Sequence, residues 1–278
     1  MLSRLNVARL VKKGFAEVND TRLYYEIVGK GHLLVLVHGF TEDTKMWDDQ
    51  FEAFAKRFKV MRYDMRGFGK SSLPIVGKEY SHTKDLKALL NQLGIDYAYV
   101  IGSSMGGSVA IDFTLEYPEV TKALILADSG LEGFQNWSKT YLKPWDAIWK
   151  EAKEKGAEAA KDLMMRTNPN ISRLAREKPD VALRKKQILS DYSGWHFVNA
   201  DPCRELDPPA IGRLQEIKIP TLIIVGESDS PDFHRIATIL NKKIQNSKRM
   251  TIKGAIHTPN METPNEFNEA VLSFLADV

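Results

Sequence analysis

The chain holds one cysteine in 278 residues, Cys203. It can form no internal disulfide, and nothing in it suggests a secreted, disulfide-stapled scaffold. The six histidines and this cysteine fall at no spacing used by zinc sites. No glycine-rich phosphate loop of the Walker or dinucleotide type is present. No apolar run approaches the roughly 20 residues that cross a bilayer. Excess charge is also scarce, with a formal net charge of +3. The first 13 residues carry Arg4, Arg9, Lys12 and Lys13 and no acid, a local +4 that leaves −1 for the remainder. That nearly neutral body makes no electrostatic case for nucleic acid. Residues 1–13 read as a basic N-terminal extension, a terminal helix or poorly ordered tail. Leu2, Leu5, Leu10 and Val11 are interrupted by bases, so the segment lacks the unbroken apolar run of a secretory signal. Its likeness to an organelle transit peptide is weak, and a cytoplasmic protein is expected.

Hydrophobic residues make up 43% of the chain, enough at this length to bury a substantial core. The most informative segment is Gly102-Ser103-Ser104-Met105-Gly106. It follows a strand-like run, Tyr97 to Ile101, and opens a helix-like one, Gly107 to Tyr117. Strand, sharp turn with a glycine two residues to each side of a serine, then helix, is the pattern of a nucleophile elbow. Such a turn strains the serine backbone, and only glycines at those two places let the chain pass so tightly. The hydroxyl of Ser104 would then stand at the head of a helix whose free N–H groups favour negative charge.

A nucleophilic serine needs a base, and the base needs an acid to orient it. Thr221 to Val225 reads as a buried strand ending in Gly226-Glu227-Ser228-Asp229, with Pro231 opening a helix. Lys248 to Ile252 reads as a short strand followed by Gly254-Ala255-Ile256-His257. The order Ser104, Asp229, His257, each just past a strand end, matches one of the known triad orders. Loops that follow parallel strands gather along one sheet edge, where distant residues meet. Asp128, after the strand-like Leu126-Ala127, is the competing position for the acid. Among the other histidines, His38 reads as a brace for its own turn.

Further motifs accompany these three residues. They are Leu33 to Phe40 with its His38-Gly39-Phe40 turn, Asp64-Met65-Arg66-Gly67-Phe68-Gly69-Lys70-Ser71, and His257 followed by Glu262-Thr263-Pro264-Asn265-Glu266-Phe267. Together they resemble the α/β-hydrolase superfamily, in its carboxylesterase, enol-lactonase and C–C hydrolase-like branch. The resemblance spans about residues 14–130 and 212–278. It implies an α/β fold with a mostly parallel central sheet flanked by helices and an inserted helical cap, here residues 131–211. It implies an oxyanion hole made by the backbone N–H groups of Phe40 and Met105. It implies cleavage of small carboxylic esters through an acyl-Ser104 intermediate, with no cofactor and no metal. Lactonases, C–C bond hydrolases, perhydrolases and hydroxynitrile lyases share the triad. Some members of the fold are instead small-ligand receptors with vestigial turnover.

Organisation follows the same reading. Phe15–Asn19 and Arg22–Val28 form an expected hairpin, strands and helices alternate to about Asp128, and the alternation then stops. From Leu131 to about Gly212 the sequence is helical and charged. It contains four of the five tryptophans, Trp137, Trp145, Trp149 and Trp195. They are expected either to bind the insert to the core or to line an apolar substrate pocket. Thr263-Pro264-Asn265-Glu266 reads as a capping box with proline at the first helical position.

Overall fold

The computed structural model describes residues 10–278, so most of the expected N-terminal extension lies outside the described residues. Two of its lysines do not. Strand β1 is Lys12–Val18 and pairs with β2, Thr21–Gly29, around a turn at Asn19 and Asp20, both with positive φ. The hairpin therefore starts earlier than Phe15. The reason lies in the partner strand, where Lys13 pairs with Glu26 at 2.9 Å and register carries the ladder back to Lys12.

The chain then builds β3 (Leu33–Val37), α1 (Asp48–Phe54), β4 (Lys59–Tyr63), α2 (His82–Gln92), β5 (Ala98–Ser103), α3 (Met105–Glu116) and β6 (Thr121–Ala127). Five helices follow without a strand: α4 (Lys139–Lys155), α5 (Ala157–Thr167), α6 (Pro169–Glu177), α7 (Pro179–Asp191) and α8 (Trp195–Val198). The alternation resumes with β7 (Thr221–Gly226), α9 (Pro231–Lys243), β8 (Ser247–Ile252), α10 (Pro259–Glu262) and α11 (Pro264–Ala276).

The eight strands form one sheet in the order β1-β2-β4-β3-β5-β6-β7-β8. The pairs from β4 to β8 are all parallel, and only the contacts made by β2 are antiparallel. Strands buried on both faces read as continuous apolar runs, and β3 shows why. Leu33, Val35 and Val37 pack on one face with α2, α3 and α9, while Leu34 and Leu36 pack on the other with α1 and α11. Successive side chains of a strand point to opposite faces, so both sets must be apolar.

Strand order reverses at β3, which lies between β4 and β5. The chains that leave the carboxyl ends of β3 and β5 therefore turn to opposite faces of the sheet and leave a crevice. His38-Gly39-Phe40 and Ser104 begin there.

One local expectation fails. Thr263 precedes α11 and Pro264 takes the first helical position, but Thr263 makes no capping bond. Its hydroxyl donates to the Pro259 carbonyl at 3.1 Å, because α10 ends immediately before it and offers a closer acceptor.

Candidate active site

Ser104 sits between β5 and α3 with φ 52° and ψ −117°, a conformation that L residues rarely hold. The flanking glycines make it possible. A Cβ on Gly102 would stand 2.1 Å from the Gly106 carbonyl oxygen, and one on Gly106 would stand 2.4 Å from those of Val37 and His38. The turn is locked by Ser104 N–H on the Ala127 carbonyl (3.0 Å) and by Gly107 and Gly130 N–H on the Ser104 carbonyl (2.9 Å each).

His257 Nε2 lies 3.0 Å from Ser104 Oγ, and His257 Nδ1 lies 2.8 Å from Asp229 Oδ2. Asp229 also accepts from Ser230 N–H at 2.6 Å. A proton on Nδ1 donated to Asp229 leaves Nε2 free to accept from the serine hydroxyl. The loops that carry these side chains are zipped to each other, with Glu227 N–H on the Ile252 carbonyl and Ser228 N–H on the Ala255 carbonyl, both 2.9 Å. Burial by itself would lower the His257 pKa. The Asp229 charge and hydrogen bond outweigh it and hold the imidazole above its ordinary value.

The backbone conformation of the His257 loop depends on a residue the sequence reading left inside a motif. Glu262 accepts from Ile256 N–H (2.5 Å), His257 N–H (3.1 Å) and Thr258 N–H (2.8 Å), and from the Thr258 hydroxyl (2.9 Å). One carboxylate thus gathers three successive amides and fixes the direction of the imidazole. The signal for this was an acid five residues after a candidate base, a spacing that only a tight loop turns into contact.

Across the crevice, a Cβ on Gly39 would lie 3.4 Å from Ser104 Cβ, so the His38–Phe40 turn abuts the serine. His38 Nε2 accepts from Met65 N–H at 2.9 Å, which puts its proton on Nδ1, where it donates to the Gly39 carbonyl at 2.8 Å. Asp64 accepts from the N–H groups of Thr44 (2.7 Å) and Lys70 (2.8 Å) and steadies the adjoining turn. Among the described residues, the N–H groups of Phe40 and Met105 donate to no protein acceptor.

Asp128 lies beside the site without a hydrogen bond to His257. It is 2% exposed, and its Oδ1 accepts from Gly226 N–H at 2.9 Å. The ends of β6 and β7 are neighbours, so both candidate acids reach the same place, but the imidazole bonds to Asp229.

The tryptophans separate in space. Trp145 and Trp149 share a face of α4 and approach the Phe40 ring at 5.9 and 6.4 Å. Phe68, Tyr192, His196 and Phe197 complete the shell around Phe40. Trp137 stacks on Tyr141 at 4.6 Å and meets Phe233, whose ring lies 4.3 Å from that of His257. Trp195 is buried against His196 at 5.0 Å. A cavity of about 570 Å³ opens between α4 and α8, with Trp149, Lys153, His196 and Phe197 in its wall and none of Ser104, Asp229 or His257.

Charged contacts missed at the level of sequence hold the insert to this edge. Lys185 of α7 reaches Glu42 (2.8 Å) in the loop after β3 and the Thr258 hydroxyl (3.2 Å) next to His257. Asp232 of α9 accepts from the amide and the hydroxyl of Ser138, the cap of α4, at 2.8 and 2.7 Å. These partners are far apart in sequence, and no local pattern announces them.

No helix among the described residues is long and apolar enough to cross a membrane. Residues 32–264 match the family model described as alpha/beta hydrolase fold. The 2-hydroxy-6-oxo-6-phenylhexa-2,4-dienoate hydrolase of Comamonas testosteroni is 23% identical, over 99% of this chain and 98% of its own. A hydrolase from Pseudomonas aeruginosa superposes with a TM-score of 0.78 at 25% identity, covering 95% of this chain and 98% of its own. The enol-lactonase of Burkholderia xenovorans has the same fold, with a TM-score of 0.77 at 24% identity over 95% of this chain and 100% of its own. With strand order, elbow and family match in agreement, the chain belongs to the alpha/beta hydrolase fold family and is, at that level, a hydrolase.

Proposed function

We propose that the protein cleaves small carboxylic esters through an acyl-enzyme, with Ser104 as nucleophile, His257 as general base and acid, and Asp229 as the acid that orients it. The observation that carries this reading is the unbroken line from Ser104 Oγ to His257 Nε2 (3.0 Å) and from His257 Nδ1 to Asp229 Oδ2 (2.8 Å). Ser104 Oγ attacks the acyl carbonyl as its proton passes to Nε2. Asp229 keeps the other ring proton on Nδ1 and stabilises the imidazolium that forms. Negative charge on the carbonyl oxygen is met by the unengaged N–H groups of Phe40 and Met105, the latter opening α3 at its positive end. The alcohol leaves with the proton from His257, and water then releases the acid by the same steps in reverse order.

The helices between β6 and β7 act in this reading as a cap. They are tied to the core by Lys185–Glu42 and by Ser138–Asp232, and they set an aromatic shell beside the oxyanion turn. A site so walled favours apolar acyl or alcohol groups of modest size. A second reading, C–C bond hydrolysis with the same triad, is favoured by the full-length match to the Comamonas dienoate hydrolase. A substrate panel separates the two: p-nitrophenyl esters of rising chain length, lactones, and dienoate ring-cleavage ketones. Turnover confined to the last group would replace the ester reading.

The base must be neutral to act, so the rate rises with pH as His257 loses its proton. Because Asp229 holds that proton more tightly than usual, kcat/KM should fall on the acid side with a midpoint above about 6.5, the ordinary histidine value. A pH profile of kcat/KM checks this, and a midpoint well below that value would point to another titrating group.

The tryptophans should divide under alanine substitution. Trp149 is 41% exposed and faces Phe40, so Trp149→Ala should leave Tm nearly unchanged and shift the chain-length preference. Trp195 is 8% exposed, and Trp195→Ala should cost about 3–5 kcal/mol of stability. Thermal unfolding and kcat/KM across the ester series read the two effects separately. Equal losses of stability from both would remove Trp149 from the pocket.

A further inference from the structure

Asp128 is a buried acid for which the proposed mechanism has no use. Its Oδ1 is engaged by Gly226 N–H at 2.9 Å, whereas its Oδ2, buried from solvent, has no hydrogen-bond partner among the described residues. An ionised carboxylate can only accept, and no donor faces that oxygen. The nearby groups include a second carboxylate. One carboxyl oxygen each of Asp128 and Asp229 and one ring nitrogen of His257 lie within 4.8 Å of one another. The backbone is held there as well, since Asp128 has φ 42° and its N–H is on the Ile224 carbonyl at 2.9 Å.

We propose that Asp128 keeps its proton at neutral pH and donates it in a hydrogen bond to the Asp229 carboxylate, making Asp128 a positioning residue for His257. The three groups then form a series: a neutral acid behind β6, a carboxylate behind β7, and the imidazole behind β8. The O–H of Asp128 gives the unpartnered oxygen an acceptor and removes the repulsion between two like charges. It also holds the Asp229 carboxylate in place, so that Asp229 Oδ2 stays aimed at Nδ1. The surroundings agree. Burial pushes the Asp128 carboxyl well above the usual carboxylate range, the Asp229 charge pushes it further, and Glu262 adds in the same direction against the Gly226 N–H. Among the described residues, Asp229, His257 and Glu262 are the titratable groups facing it from the neighbouring loops.

The influence of Asp128 on rate rests on the triad reading above, while its protonation does not. The test therefore has a readout for each. Infrared difference spectra of the whole protein, wild type against Asp128→Asn at neutral pH, should show the carbonyl stretch of an un-ionised carboxylic acid in the wild type only. In kinetics, Asp128→Ala should lose roughly 10- to 100-fold in kcat with KM little changed, the effect of one missing buried donor. Asp128→Asn keeps an acceptor for Gly226, a donor for Asp229 and tolerance of positive φ, and should recover to within about threefold of wild type. Its acid-limb midpoint should coincide with that of wild type, because no charge has been removed. Absence of the infrared band would overturn the proposal. So would a lower acid-limb midpoint in Asp128→Asn, which would mean that an ionised Asp128 had been supporting the imidazolium. Full activity in a folded Asp128→Ala would end the positioning role. Should that variant not fold, the band and the Asn profile still decide. If Ser104→Ala hydrolysed esters normally, the triad reading would fail while the band remained. If Ser104→Ala were dead and the band missing, the inference about Asp128 alone would fail.

Discussion

Replacing Ser104 with alanine is expected to leave a folded protein whose ester hydrolysis has dropped by about 10⁶-fold, the loss seen when one member of a cooperating triad is removed. The fold should tolerate the change, since the turn is held by the Ser104 N–H bond to the Ala127 carbonyl and by the Gly107 and Gly130 N–H bonds to the Ser104 carbonyl, and the hydroxyl contributes only the contact to His257. The same variant should refuse an organophosphate that the wild type accepts, and peptide mapping of the labelled wild type should find the adduct on Ser104. The adjacent Ser103 gives a built-in control. Its hydroxyl is fully buried and, among the described residues, has no hydrogen-bond partner, let alone a base. Label on Ser103, or residual turnover within a hundredfold of wild type in Ser104→Ala, would sink the elbow assignment.

The second large effect is expected at Asp229. Asp229→Asn preserves the volume of the side chain and the acceptor for Ser230 N–H, so circular dichroism and Tm should change little. The amide can instead present a donor to Nδ1, which puts the ring proton on Nε2, the atom that must accept from Ser104. A wrong tautomer costs about 10⁴-fold in kcat in the serine-protease precedent, and a similar loss is expected here. The pH profile should also lose the elevation of its acid limb, because the charge that held the His257 proton has gone. If Asp229→Asn stayed within tenfold of wild type, the acid would have to be sought at Asp128, the neighbouring strand end.

Some parts of this molecule were legible because they depend on short-range constraints. A serine between glycines at two residues' distance can be written only one way as a turn, and the clashes that any Cβ on Gly102 or Gly106 would meet are the physical reason. Runs such as Leu33–Val37 and residues 222–225 are apolar at every position because both faces of a parallel strand are covered. Once those runs were placed, the chain order of Ser104, Asp229 and His257 followed from which strand each one ends.

Other parts were settled only in three dimensions, where separate loops converge. Asp229 was the expected acid and Asp128 its competitor, each a carboxylate after a strand, and it is to Asp229 that the imidazole arriving from a third loop is hydrogen-bonded. Thr263 carries the letters of a capping box, yet its hydroxyl turns back to Pro259 because a preceding short helix presents a carbonyl there. Glu262 looked like part of a terminal motif and instead collects three amides beneath the base. The docking of the insert rests on partners such as Lys185 with Glu42, 143 positions apart. By itself the sequence named Ser104, Asp229 and His257 as candidates and the strand end each follows, since local sterics and side-chain alternation are written residue by residue. Only the tertiary structure decided who partners whom across those strand ends, because a hydrogen bond or ion pair between distant loops depends on distances that no local pattern encodes.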